Sequence, residues 1–399
     1  MSVSLASKAI FSPARLHLWR LIFDAHIVVM STRCCTADSL AYSIDIFCRV
    51  IDNFGDAGVL WRLAREMRRE GFAVRLIIDD TATLALLAGK ARETAVEAIS
   101  DDKDLKVIHW EKAWSDGPCP LAVADMVVEG FACRLPPDYE GRIIAHQTVW
   151  VNIDYFTAED WIEGCHMLKS ILPSTGAEKI NYFPGVSRAS GGLTIEKGYE
   201  AAREAFLSRV PATDALKIFY FSYPTAPVSA LATLLANSKQ NIELTCSACE
   251  AARTLARNVE SASTNNVTIK QLGFVPQNGF DELIWASDIA FIRGEDSAAR
   301  AMLAGVPFIW QIYPQDDGAH WVKLAALTDK MRSHFDHQPV FDAWEQFQRD
   351  FNAGQINETA WQSMTKELSA LKAGFTRWGE HVRGNANIAE RLSQMIQKR

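Results

Sequence analysis

The chain has 399 residues, 48% of them hydrophobic and 22% charged, with 41 Lys and Arg against 48 Asp and Glu for a net charge of -7. That length exceeds one ordinary domain and suits two, each with its own core. The acidic balance excludes a general nucleic-acid binder, which needs a basic surface. Residues 16–30 are apolar, but Arg20, Asp24 and His26 interrupt them and no small-residue cleavage site follows, so no membrane span is expected. Residues 1–40 read as an extension outside the fold, either poorly ordered or the product of an upstream start codon with Met30 as the alternative start. The eight cysteines are scattered, mostly in apolar surroundings, as reduced thiols of a cytoplasmic protein are.

From residue 44 the chain alternates between strand and helix patterns. An apolar run at 44–50 predicts a strand, and 58–70 predicts a helix with Leu60, Leu63, Ala64 and Met67 on one side. Arg62, Arg65, Glu66, Arg68 and Arg69 form its polar side, and Gly71 stops it. Further strands are expected at 74–78, 106–109, 126–128, 142–145 and 149–153. Residues 181–198, rich in Gly, Ser and Pro, read as a long loop facing a cleft.

The second half alternates more regularly. Strands are expected at 217–223, 242–246, 267–272, 288–292 and 306–312. Helices are expected at 227–238, 249–259, 280–286, 297–304 and 318–327. Such alternation means parallel sheets with crossover helices. The tail from 340 is mostly helical, with amphipathic stretches at 341–351, 358–372 and 386–397. The domains expected are 41–210, with the change near Pro211, then 211–375, then a C-terminal helix at 376–399 free to pack back on the first domain.

Two acidic loops carry the chemistry. Asp52-Asn53-Phe54-Gly55-Asp56 follows the first strand, and Arg293-Gly294-Glu295-Asp296-Ser297 follows the strand at 288–292. Loops at the carboxyl ends of strands are where doubly wound domains hold ligands. Asp56 suits a helix N-cap as well as a base, whereas Asp52 precedes the helix by several residues. Gly55 and Gly58 thin the loop so that a ligand can approach the backbone. Paired carboxylates on an open loop can clamp a cationic acceptor or act as a general base.

In the second loop, Arg293 is a natural phosphate partner, and the N–H groups of Asp296 and Ser297 favour an anion at a helix opening. Glu295 would repel phosphate and suits sugar hydroxyls or a cation. The alternative is that Ser297 merely caps the helix and Arg293 pairs with Glu295 at the surface. Phe221, Tyr223, Phe274, Gln277 and Phe280 lie at strand ends of the same half, and rings with one amide suit a nucleobase.

Other motifs are weaker. There is no GxGxxG and no GxxxxGK[ST], so dinucleotide and P-loop sites lack their phosphate turns. Asp102-Lys103-Asp104 has DxD spacing but sits in a polar run that reads as a solvated loop. Cys246-Ser247-Ala248-Cys249 is a lone CxxC, and His334-Phe335-Asp336-His337 reads as an exposed connection, so no metal site is expected.

The chain resembles the bacterial protein-arginine rhamnosyltransferases that modify translation elongation factor P. The resemblance rests on residues 52–58, on 291–297, on Phe274-Val275-Pro276-Gln277 and on Trp310-Gln311-Ile312-Tyr313-Pro314-Gln315. It implies a GT-B fold, two Rossmann-like domains facing across a cleft, and an inverting, metal-independent transfer from dTDP-β-L-rhamnose to an arginine of that factor. It also implies Asp52, Asp56 and Glu295 as the catalytic carboxylates. Phe221, Phe274, Gln277 and Phe280 look like its thymine pocket, and Tyr223, Arg293, Asp296 and Ser297 its diphosphate site. Phe54 and Gly55 join the donor-binding set. Val186 stands where the family pattern has an aromatic, and Ile153-Asp154-Tyr155 replaces Leu-Glu-Tyr. Competing readings are a GT-B transferase with another nucleotide sugar and a small-molecule acceptor, or a non-catalytic nucleotide-sugar-binding protein.

Overall fold

The apolar run Ser43–Cys48 forms β1, with Ile44, Ile46 and Cys48 buried on one face and Phe47 on the other. Burial on both faces is the mark of a strand inside a parallel sheet. A computed structural model describes residues 42–398 apart from 52–53, 116, 119–120 and 174. The extension expected over 1–40 and the candidate carboxylate Asp52 therefore lie outside the described residues.

The first sheet continues with β2 (Ala73–Ile78), β3 (Leu105–His109), β4 (Met126–Gly130), β5 (Val149–Ile153), β6 (Lys169–Ile171) and β7 (Glu178–Tyr182). Their order is β3-β2-β1-β4-β5-β7-β6, parallel except for the β6–β7 pair. The second sheet holds β8 (Leu216–Tyr220), β9 (Ile242–Cys246), β10 (Val267–Gln271), β11 (Ile289–Arg293) and β12 (Phe308–Gln311), all parallel in the order β10-β9-β8-β11-β12. In both sheets the chain winds outward from a central strand and then returns to its other side. The order reverses between β1 and β4 and between β8 and β11, so each half has its ligand crevice at those carboxyl ends.

Several expected elements shift. The strand expected at 142–145 is the end of the helix Pro137–Ile143, whose Pro137 at the start and Asp138 and Glu140 in the first turn favour helix opening. The stretch 358–372 is two helices, Glu358–Lys366 and Leu368–Arg383, broken at Glu367 with φ -104° and ψ 33°. The second helix runs through residue 376, so the return toward the first sheet starts after Arg383. There Ile388–Gln397 buries Ile388, Ala389, Leu392 and Ile396 in the first core. The helix Tyr199–Leu207 precedes the change expected near Pro211 yet packs on the second core, where the Trp285 indole donates to the Tyr199 hydroxyl at 2.9 Å.

The crossing segment after β7 is less open than its glycines suggest. Val186, Ser190, Gly192 and Leu193 are buried, and the tail lies against them. Asn387 donates to the Ile195 carbonyl at 2.8 Å and Arg391 to the Ser190 carbonyl at 2.8 Å. At Gly192, φ is +76° and an added Cβ would lie 1.6 Å from the Ala386 carbonyl oxygen, so only glycine fits. Among the described residues, no helix is long and apolar enough to cross a membrane.

Candidate active site

Two adjoining cavities, of about 480 and about 200 Å³, lie where the strand-end loops of the two sheets meet. They share Gly55, Arg62, Tyr223, Gly294, Glu295 and Asp296. All ten residues expected at a donor site, namely Phe54, Gly55, Phe221, Tyr223, Phe274, Gln277, Phe280, Arg293, Asp296 and Ser297, line the smaller one. Asp56 and Glu295 line the larger. Asp52, the third expected carboxylate, is outside the described residues.

The smaller cavity is built at the ends of β8, β10 and β11. Phe54 and Phe274 bring their rings to 5.1 Å across the gap between the halves, and Phe274 keeps 42% of its surface exposed. Phe221 and Phe280 meet edge to face at 5.3 Å. Between these pairs, Gln277 is buried. Its Nε2 donates to the Gly58 carbonyl at 2.7 Å, and its Oε1 has no hydrogen-bond partner. A buried amide oxygen without a protein donor is costly unless another group donates to it, which marks Oε1 as an acceptor position.

The expected helix at 297–304 begins three residues earlier, at Gly294, which takes φ +70°. The helix-opening N–H groups are therefore those of residues 294–296, and Ser297 lies inside the helix with its hydroxyl donating to the Arg293 carbonyl. Ser297 is no cap, and Arg293 does not pair with Glu295. The Arg293 guanidinium lies over the Phe221 ring at 4.4 Å and the Tyr223 ring at 4.8 Å. These contacts orient it without consuming its charge on a carboxylate. Trp310 donates to the Gly294 carbonyl at 2.9 Å, and Gln311 accepts from the Tyr223 N–H at 2.7 Å. The sequence pattern around Trp310-Gln311 thus braces the loop at Gly294 and Tyr223 from β12.

In the larger cavity, Asp56 opens the helix Gly55–Arg69, is 2% exposed, and accepts from the Ile51 N–H at 2.8 Å. Glu295 reaches toward the first half. It accepts from the Phe156 N–H at 3.0 Å and pairs with Lys323 at 2.9 Å. Burial pushes the Glu295 carboxyl above its ordinary value, opposed by Lys323 and the Phe156 N–H and reinforced by the charge of Asp56.

A buried charge cluster behind the cavities escaped the sequence reading. Arg62 and Glu66, assigned there to a polar helix side, are 3% and 2% exposed, because that side is the contact between the halves. Arg62 pairs with Glu196, with Asp281 at 3.1 Å and with Asp296 at 3.8 Å. Arg300 joins Asp281 at 2.7 Å and Glu196 at 2.9 Å. Burial disfavours the Glu196 charge, but Arg300 and Arg62 outweigh it and bring the carboxyl down to about 2. Burial raises the Asp296 carboxyl against the pull of Arg62 and Arg300. The Asp296 backbone N–H thus lies at the helix opening while its side chain faces Arg62 of the other half. Alternating charges on a helix look solvent-exposed in a sequence; only their spacing to Asp281 and Arg300 in the fold reveals the interface.

The minor motifs resolve simply. Arg68 bridges Asp102 at 3.0 Å and Asp104 at 3.1 Å. Cys246 is buried with its thiol pushed up to about 12, Cys249 accepts from the Ser247 hydroxyl, and both are free cysteines. His337 caps the helix Gln338–Asn352 and Asp336 pairs with Arg377.

The family model described as Elongation-Factor P (EF-P) rhamnosyltransferase EarP matches residues 44–397. A protein-arginine rhamnosyltransferase of Pseudomonas putida is 34% identical over 375 residues, covering 87% of this chain and 97% of that one. Another, of Neisseria meningitidis serogroup B, is 34% identical over 376 residues, covering 88% and 96%. A solved structure on EarP-mediated arginine glycosylation of translation elongation factor EF-P matches with TM-score 0.56 at 23% identity, over 90% of this chain and 99% of that one. MurG of Acinetobacter baumannii matches with TM-score 0.50 at 12% identity, over 90% and 99%. These structural likenesses show the fold, the GT-B arrangement of two Rossmann-like halves.

Proposed function

The chain belongs to the EF-P rhamnosyltransferase family, and on that premise we propose that it moves L-rhamnose from dTDP-β-L-rhamnose to an arginine of translation elongation factor P, with inversion. The observation that carries this reading is the pairing of cavities: an aromatic slot with Arg293 at one end opens into a chamber lined by Asp56 and Glu295.

Thymine would enter between the Phe54–Phe274 and Phe221–Phe280 pairs, where ring stacking suits its planar face. The unpartnered Oε1 of Gln277 would accept the imide N–H of the base. The diphosphate would lie on Arg293 and the N–H groups of residues 294–296, where the helix terminus favours an anion. That positive charge stabilises departing dTDP without calling on a metal.

The acceptor is a weak nucleophile, since a guanidinium keeps its proton up to a pKa above ~12. Deprotonation in advance is out of reach for an aspartate. Instead a carboxylate would accept the proton as the bond forms. The guanidinium nitrogen attacks the anomeric carbon, the bond from that carbon to the dTDP oxygen breaks, and the proton passes to Asp56. Asp52 would orient the guanidinium, and Glu295 would hold the sugar hydroxyls. In-line attack from the face opposite dTDP inverts the anomeric centre. Transfer to a translation factor places the reaction in the cytoplasm, and the five cysteines among the described residues are free, in keeping with a reducing compartment.

The test is intact-mass spectrometry of purified EF-P after incubation with this protein and dTDP-β-L-rhamnose. The expected result is a gain of one deoxyhexose on one arginine. No gain with folded protein and bound dTDP would overturn the choice of acceptor and sugar.

A further inference from the structure

We propose that Phe131, Asp154 and Tyr155 form the subsite that receives the flat face of the acceptor guanidinium. The inference rests on the arginine-transfer reading above and names side chains on the acceptor half that none of the expected site residues included.

All three residues line the larger cavity, the one that also holds Asp56 and Glu295. Phe131 and Tyr155 stack with ring centres 4.4 Å apart and planes 15° from parallel. A stacked aromatic pair beside a carboxylate matches a guanidinium better than an ammonium, because the planar cation lies along a ring while its edge donates to the carboxylate. Asp154 supplies that carboxylate. It is half-buried, accepts from the Tyr155 N–H at 2.7 Å, and enters no ion pair among the described residues.

The backbone shows that Phe131 is held there at a cost. Phe131, Ala132 and Arg134 take φ of +53°, +52° and +58°, a region that bulky side chains avoid. Four bonds hold the turn: Phe131 N–H to Ile153 at 2.7 Å, Ala132 N–H to Asn152 at 3.0 Å, Cys133 N–H to Gly130 at 3.1 Å and Arg134 N–H to Glu129 at 2.9 Å. A relaxed turn would point a different residue at the cavity, and such over-determined strain collects at binding sites. The next residue after the pair, Phe156, donates to Glu295, so the platform is fastened to the donor side.

The experiment measures steady-state kinetics with EF-P as the varied substrate, alongside dTDP affinity by calorimetry. Tyr155→Leu should raise KM for EF-P by about tenfold, the scale of a desolvated cation–aromatic contact, with dTDP affinity unchanged. Asp154→Asn, which preserves shape and the bond to Tyr155, should raise KM in the same way. The inference is overturned if wild-type protein transfers rhamnose and both Tyr155→Leu and Asp154→Asn retain its KM, or if their defect appears equally in dTDP affinity. Absence of transfer by the wild-type protein would instead strike the functional reading itself.

Discussion

The helices Gly55–Arg69 and Gly294–Ala304 begin alike: each follows a central strand, each opens on a glycine, and each carries a carboxylate at its second residue. Their carboxylates behave oppositely. Asp56 turns back on its own loop and binds the Ile51 N–H. Glu295 and Asp296 reach away, to Phe156 and Lys323 and to Arg62. Asp56 is thus tied to its own loop, on the side where the acceptor is proposed to enter. Glu295 and Asp296 instead reach the first half through Phe156 and Arg62, so residues proposed to bind the donor also join the halves. One local motif serves two tasks because the partners differ, and partners come from the fold.

The sharpest way to break this comparison is Asp56→Asn. Asparagine keeps an oxygen for the Ile51 N–H but cannot take a proton, so transfer should fall by ~10³-fold, the middle of the range for general-base removal. Initial rates at saturating EF-P measure it. A loss of only a few-fold would mean that Asp56 is chiefly a structural acceptor.

Next comes the buried cluster. Glu196→Gln leaves Arg62 and Arg300 short of a counter-charge and should cost about 3 kcal/mol in denaturant unfolding. Since the folded Glu196 carboxyl lies at about 2 against 4.5 unperturbed, its charge stabilises the fold above the unperturbed value. The gap between wild type and variant should therefore be full at neutral pH and shrink as pH falls from 4.5 toward 2. A gap independent of pH would show that packing, not charge, is lost.

Smaller effects test the donor side. Gln277→Leu removes both the bond to Gly58 and the acceptor for the base, and should weaken dTDP by about tenfold in calorimetry. Asp296→Asn keeps the helix-opening N–H groups and should change dTDP affinity by less than about threefold while loosening the contact with Arg62. Equal losses in the two would mean that the Asp296 carboxylate contacts the donor.

How much of this was legible in the residues follows from the same contrast. Strand ends in a parallel sheet converge, so aromatic and charged residues placed just after strands β8, β10 and β11 point to one pocket from the sequence alone. The residues that escaped were those whose meaning depends on distant partners. Arg62 looks solvated beside its helical neighbours, yet it faces Asp281 and Glu196. Phe131 looks like one more core aromatic, because nothing local announces a left-handed turn without glycine or asparagine. The segment 181–198 reads as open loop from its composition, while its burial comes from a tail some two hundred residues later.

The two loops divide the labour between acceptor and donor, a division that calorimetry with dTDP on Asp56→Asn and Arg293→Ala puts to the test. The account predicts that Asp56→Asn binds dTDP like the wild type while failing to transfer, and that Arg293→Ala loses most dTDP affinity. Equal weakening of dTDP by both substitutions would contradict it, because the acidic loop would then belong to the donor site.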